Sequence, residues 1–532
     1  MITKKIKKLK SFTKDQRLIK KSEEVEEEDL SEVDSVEELS VEEKTNKPSQ
    51  EYFSDLTFDS LDLSKNLKKA VKMGLKFDRL TKIQAKTIPL ILQGKDLIGA
   101  AKTGSGKTLA FLLPALQNLN KNNFRNDQGT GVLIITPTRE LAQQIYDVTV
   151  SLLEYEVRSI GLLIGGADKK LEADRLRRGI NILIATPGRL LDHLVNTKDF
   201  NHKNLVSLII DEADQILKFG FEEELNEIIS ILRDDRQTIL FSATQTKKIE
   251  DIVRLSIKNP IYIDLKEEAS TVDNLEQGFV ICDSHLRFRL LLTFLRRNKD
   301  KKIMVFFSSC SSVKFHSDIL NYVNLKTLDI HGKQKQQKRL KTYYEFSKMQ
   351  SGVLLCTDVA ARGLDIPKVD WIVQFDPPDD VKEYIHRVGR ACRGTNSNGK
   401  ALLLLLPSEI GYLKLLRNGK VVPNEFEFPE SKLAPVQGQF EKLVQNNFFL
   451  SSAAKEAYRS YLHSYMSHSQ KDIFDINEID LQKASKSFGL IVPPRVDLDV
   501  NLKRRKDKMR DKKKNLLDRR YRDKNDKRQF SR

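Results

Sequence analysis

The chain has 532 residues, 39% hydrophobic and 31% charged, and its 91 Lys and Arg against 74 Asp and Glu give a formal net charge of +17. That length allows three or four domain-sized units with substantial cores, and the charge points to an anionic partner without saying which. The longest apolar run, Ala401 to Leu406, is far too short for a membrane span; four scattered cysteines without CxxC spacing argue against a disulfide scaffold or a zinc site; and the Lys-rich start shows no secretory h-region.

In chain order, residues 1–50 read as a charged, disordered tail: Met1 to Lys21 carries +8 and Ser22 to Glu43 carries −12. From Phe53 to Glu425, short β-rich apolar runs alternate with amphipathic stretches. Examples of the runs are DLIGAA, GVLIITP, INILIATP, LVSLIIDE, TILFSAT, KIMVFFSS, GVLLCTD and WIVQFD. Such runs suit strands buried on both faces of a parallel sheet. Lys107–Asn120 and Glu140–Tyr155 read as helices between them. The alternation predicts an α/β, doubly wound architecture. It is too long for one sheet and divides between Leu265 and Gly278, giving lobes over 51–268 and 275–425. Residues 430–497 change to helical spacing and read as a small helical extension. Residues 501–532 form a basic tail of +11, which leaves +10 on the body; the tail suits RNA contact or nuclear targeting.

The strongest local signal is Ala101-Lys102-Thr103-Gly104-Ser105-Gly106-Lys107-Thr108, after an apolar run and before a helix. That context makes it a phosphate-binding loop: glycines let backbone N–H groups curl round phosphate oxygens, and the helix N-terminus adds positive potential. Lys107 would reach the β- and γ-phosphates and Thr108 would ligate Mg²⁺. In LVSLIIDEAD, Asp211 and Glu212 stand where an apolar strand ends, the edge at which parallel sheets bind ligands. Asp211 would hold Mg²⁺ and Glu212 would orient and deprotonate the attacking water. Arg387 and Arg390, three apart in HRVGR, share a helical face and would act as arginine fingers across a cleft. Hydrolysis would then require the lobes to close.

Together these residues resemble the DEAD-box family of ATP-dependent RNA helicases (superfamily 2), over roughly residues 53 to 425. The resemblance implies two tandem RecA-like parallel-sheet lobes. It implies that Gln84 hydrogen-bonds the adenine of ATP and that Phe58 stacks on it, in a segment where Leu80 replaces the family's usual Pro. It makes Asp365 a ribose contact, and Ser242 and Thr244 of SAT coupling residues. Pro137, Thr138 and Arg139 of PTREL, Gly166 after Gly165, Thr186, Pro187, Gly188 and Arg189 of TPGR, and Thr357 become the RNA-binding set. Hydroxyl and guanidinium groups suit phosphate and 2′-OH contacts rather than base reading.

Longer stretches, among them IGAAKTGSGKTLAFLLP and VDWIVQFDPPDDVKEYIHRVGR, are similar to a nucleolar subfamily. Tyr458 to Leu490 resembles that subfamily's C-terminal extension. The subfamily acts in small-subunit pre-rRNA processing and small nucleolar RNA release. It implies a monomer in the nucleolus or nucleus, with ATP and Mg²⁺ as cofactors. Its partners would be pre-rRNA and small nucleolar RNA duplexes and pre-ribosomal particle proteins, with no membrane. The alternatives are another ribosome-biogenesis DEAD-box helicase, an ATP-gated RNA clamp and a DNA-translocating helicase. His193 and His331 lack metal-ligand spacing and read as structural or surface groups.

Overall fold

The structure is a computed structural model that describes residues 53–100, 105–242, 247–264, 275–358, 366, 369–391 and 399–496. The charged tails, Ala101 to Gly104, Thr244, Asp365 and Cys392 therefore lie outside the described residues.

A short antiparallel pair, β1 (Phe53–Thr57) and β2 (Arg79–Thr81), precedes the first lobe. The lobe-one sheet contains β3 (Leu97–Ala100), β4 (Val132–Ile135), β5 (Ile160–Leu163), β6 (Ile182–Ala185), β7 (Ser207–Ile210), β8 (Gln237–Ser242) and β9 (Ile261–Asp264). Its order is β5-β6-β4-β7-β8-β3-β9, and every pairing is parallel. The second lobe contains β10 (Leu275–Ile281), β11 (Lys302–Phe306), β12 (Thr327–Ile330), β13 (Gly352–Cys356), β14 (Trp371–Gln374), β15 (Gly399–Leu405) and β16 (Asn424–Glu425). Its order, β12-β13-β11-β14-β15-β10-β16, repeats the first with each strand replaced by the one seven later. The two lobes are thus copies of one topology. All eight of the runs quoted above are strands.

The strands are β-branched and leucine-rich because helices cover both faces. Val132 to Ile135 and Ile182 to Ala185 are buried throughout. Helices start where polar side chains cap them. Thr138 accepts from the Leu141 N–H at the start of Arg139–Leu152, and Ser309 from the Ser312 N–H at the start of Cys310–Tyr322.

The helical extension is not an appendage with its own core. Its main helix, Phe448–Ser467, packs on Cys310–Tyr322 of lobe two, and one hydrophobic cluster runs through both. Phe440 stacks on Phe288 with ring centroids 4.1 Å apart, and Phe488 lies 5.9 Å from Phe315. His316 is caged between Phe307, Phe315, Phe375 and Phe488. Each such aromatic contributes about 1.5–3 kcal/mol by burial, so lobe two and the extension stabilise each other. Among the described residues, no helix is long and apolar enough to cross a membrane.

Candidate active site

The parallel order brings the C-terminal ends of β3, β8 and β7 side by side. Lys107 opens the helix after β3, Ser242 ends β8, and Asp211 and Glu212 follow β7. The helix Lys107–Lys121 starts at Gly106, whose φ of +89° is left-handed. A Cβ there would lie 2.6 Å from Gln84 Nε2. That closeness reflects a direct bond: Gln84 Nε2 donates to the Gly106 carbonyl at 2.9 Å. Gln84 Oε1 accepts from the Thr81 N–H at 2.9 Å, and Thr81 Oγ1 accepts from the Gln84 N–H at 3.5 Å, a capping box. The glutamine thus ties β2 to the phosphate loop.

Lys107 is buried, and its Nζ has no hydrogen-bond partner among the described residues. An ammonium in that state is costly unless an anion meets it, so the site fits a phosphate group. Burial raises the Asp211 carboxyl above the usual carboxylate range, while the Lys107 charge and the Glu212 N–H, 3.0 Å from Asp211 Oδ1, pull it down. Glu212 is a non-glycine residue with φ of +51°. That backbone costs about 1–3 kcal/mol and clusters at functional sites. It places the carboxylate at the N-terminus of the helix Ala213–Lys218. Thr108 is half-buried beside Lys107. Among the described residues no three His, Cys, Asp or Glu side chains form a metal cluster.

Phe58 sits in the lobe-one core with Leu61, Leu63 and Leu80, leaving 4% of its surface for a base.

The RNA set lies along the adjacent strand ends of β4 and β6. Arg139 and Pro187 are the first residues of two helices there, and Gly188 and Arg189 complete the first turn of the second. Backbone N–H groups in a helix's first turn can meet a phosphate, although Pro187 itself carries none. Thr138 and Thr186 are the N-caps, and Pro137 is buried before them. Arg139 lies flat on Gly165 and Gly166: a Cβ on Gly165 would stand 2.8 Å from its guanidinium. Arg189 is committed internally. It donates to the carbonyls of Ile164 at 3.2 Å and Ala167 at 2.8 Å and pairs with Glu172 at 3.3 Å. Its guanidinium braces the Gly165-Gly166 loop. His193 bonds the same Glu172 at 3.1 Å and is structural. In lobe two, Thr357 follows β13, and its buried Oγ1 has no partner among the described residues.

Arg387 is a correction. Asp358 grips it in a bidentate pair, Nε to Oδ1 at 2.6 Å and Nη2 to Oδ2 at 2.8 Å, and Nη1 donates to the Asp376 carbonyl at 2.8 Å. A finger must present its guanidinium to the cleft, and this one is spent inside lobe two. Nor does Arg390 share its helical face: the helix ends at Val388, and Arg390 follows Gly389, with Nε donating to the His386 carbonyl at 3.2 Å. Both arginines are 1% exposed.

The sequence also hid the contacts that join the lobes. Glu140 Oε1 accepts from Arg339 at 2.6 Å and from Gln336 at 2.8 Å. Gln144 donates to Tyr343 Oη at 2.7 Å, and Tyr344 donates to Asp147 at 2.5 Å. Lys218 reaches Asp380 and Glu383, each at 3.2 Å. Glu140 lies in PTREL, but nothing in that stretch points to the other lobe.

Known proteins match this arrangement. The DEAD/DEAH box helicase family matches residues 81–252, the helicase conserved C-terminal domain 286–395, and the ATP-dependent rRNA helicase SPB4-like C-terminal extension 447–496. The chain is 57% identical over 450 residues to the probable ATP-dependent RNA helicase ddx18 of Dictyostelium discoideum, covering 84% of this chain and 74% of that one. It is 55% identical over 461 residues to ATP-dependent RNA helicase HAS1 of Saccharomyces cerevisiae, covering 84% and 91%. A structure of DEAD-box helicase Mss116 bound to ssRNA and UDP-BeF superposes with a TM-score of 0.71 at 29% identity, covering 83% of this chain and 92% of that one. A lysine and two carboxylates converge at one sheet edge, a second lobe of the same topology closes on the first, and close relatives share nearly the whole described body. The chain belongs to the DEAD-box family of ATP-dependent RNA helicases.

Proposed function

We propose that this helicase remodels short RNA duplexes within pre-ribosomal particles, in pre-rRNA processing and small nucleolar RNA release in the nucleolus. The observation that carries this reading is the match of residues 447–496 to the extension named for an rRNA helicase, on a core 55% identical to HAS1 of Saccharomyces cerevisiae. Domain limits of 51–268, 275–425 and 430–497 accompany it, with charged tails on either side.

In the cleft, Lys107 neutralises the terminal phosphates of ATP, and Gln84 reads the adenine while holding Gly106. Thr108 and Asp211 would hold Mg²⁺, which when bound offsets charge on the phosphate oxygens. Glu212, set in its left-handed backbone, orients the attacking water and takes its proton. Arg390, 1% exposed, would have to swing its guanidinium into the cleft to act as the finger. RNA phosphates sit on the helix N-termini at Arg139 and Pro187, with Thr357 contributing from lobe two. Closure on ATP and one strand separates the duplex, and Ser242 links the sheet edge to that movement.

Crosslinking the protein to RNA in cells and sequencing the sites tests the assignment. Crosslinks in pre-rRNA and small nucleolar RNA are expected; crosslinks confined to mRNA would defeat it.

A further inference from the structure

The segment 376–380, between β14 and the helix Val381–Val388, is held from three directions. Lobe two grips Asp376: Ser308 donates its N–H and hydroxyl to Oδ2 at 2.8 and 2.9 Å, and Arg287 pairs with Oδ1 at 2.7 Å. The Asp376 carbonyl in turn accepts from Arg387 at 2.8 Å. The helical extension grips the middle: His468 Nε2 donates to the Pro378 carbonyl at 3.2 Å, and Ser469 Oγ donates to the Asp379 carbonyl at 2.9 Å. Lobe one reaches the far end, where Lys218 bonds Asp380 and Glu383.

His468 is built for that task. Its ring stacks on Phe474 with centroids 3.6 Å apart. Its Nδ1 accepts from the Gln470 N–H at 3.2 Å, which leaves Nε2 as the protonated donor toward Pro378. Behind the segment lies a cavity of about 130 Å³, lined in part by Pro377, Pro378, Tyr465 and His468. Packing on that side is incomplete, and the bonds from His468 and Ser469 add to it. The two prolines have fixed φ, so a shift at Pro378 carries along the backbone to Asp376.

We propose that the helical extension positions the side of lobe two that meets lobe one: His468 and Ser469 fix the Asp376–Asp380 segment, and with it the carbonyl that orients Arg387 and the carboxylates that receive Lys218. Both are positioning residues, acting through that segment. The proposal rests on the cleft being the ATP site.

The test is RNA-stimulated ATPase of the full chain in a cycle of His468→Ala and Lys218→Ala, with His468→Gln and Ser469→Ala beside it. His468→Ala is expected to lower kcat about fivefold with ATP KM within about twofold, because lobe one holds most of the nucleotide. His468→Gln keeps a donor near Nε2 and should restore most of the rate. The double variant should be no slower than the slower single one, since both act through one segment. Independent, multiplying effects would overturn the proposal, as would a folded His468→Ala and Ser469→Ala both within about twofold of wild type. If His468→Ala fails to fold, Ser469→Ala runs the same cycle with Lys218→Ala, its hydroxyl lying outside the core. Wild-type protein without RNA-stimulated ATPase would instead defeat the ATP-site reading, so the two failures are told apart.

Discussion

Glu140 of lobe one meets Arg339 of lobe two at 2.6 Å, and both are buried where the lobes join. Removing one partner of a buried pair leaves the other charge uncompensated, at about 3–5 kcal/mol. That cost falls on the closed arrangement, because in separated lobes Arg339 regains water. Glu140→Ala is therefore expected to cut RNA-stimulated ATPase by about tenfold or more while ATP affinity without RNA changes little. Rate measurements across an RNA titration, with nucleotide binding measured separately, check it. An equal loss in both would place Glu140 in the fold of lobe one instead.

Gln84 joins the β2 segment to the phosphate loop by donating to the Gly106 carbonyl at 2.9 Å. Gln84→Glu puts a carboxylate oxygen against that carbonyl at the same distance. Two acceptors without a proton between them repel, at about 1–3 kcal/mol for the lost bond. ATP affinity should fall about tenfold, with a smaller change in melting temperature. Equilibrium binding of a fluorescent ATP analogue checks it, and unchanged affinity would separate Gln84 from the loop.

Tyr344 donates to Asp147 across the lobes at 2.5 Å, and burial together with the Asp147 charge holds its hydroxyl protonated well above the ordinary tyrosine range. Tyr344→Phe removes the hydroxyl and its bonds to Asp147 and Gln143 and nothing of the ring. The contact is partly solvated, so about 1 kcal/mol is at stake. The RNA concentration giving half-maximal ATPase should rise about threefold to fivefold, with kcat at saturating RNA little changed. A drop in kcat without that shift would contradict a role in closure.

Glu409 supplies a pH test of the joint between lobe two and the extension. Burial raises its carboxyl to about 7, against the pull of Arg287 and the Leu406 N–H. The folded protein thus holds this proton more tightly than the unfolded chain. The stability it contributes is fully present below the ordinary value near 4.5 and is lost as pH rises through about 7. Glu409→Gln keeps the acceptor for Leu406 and cannot ionise. Its melting temperature relative to wild type should be higher at pH 8 than at pH 5, and a difference independent of pH would contradict the raised value.

The sheets were legible because strands buried on both faces must be continuous apolar runs, as in Val132–Ile135 and Lys302–Phe306. The site was legible where chemistry sits next to a strand end, as with Lys107, Asp211 and Glu212. What failed was long-range pairing. Arg387 reads as a finger because spacing cannot show Asp358, 29 residues earlier, closing on it. Arg189 reads as a phosphate contact because Glu172 and the Ile164 carbonyl come to it only through the fold. The packing of the extension on lobe two is not legible, because the stacking of Phe440 on Phe288 joins residues far apart in the chain.

The central claim is an RNA-dependent ATPase whose cleft chemistry runs through Glu212. The most direct measurement is ATP turnover of wild type and Glu212→Gln without nucleic acid, with RNA and with DNA. The account predicts stimulation of wild type by RNA alone, and loss of turnover in the variant with ATP and RNA binding retained. Stimulation by DNA as strong as by RNA, or undiminished turnover in Glu212→Gln, would contradict it.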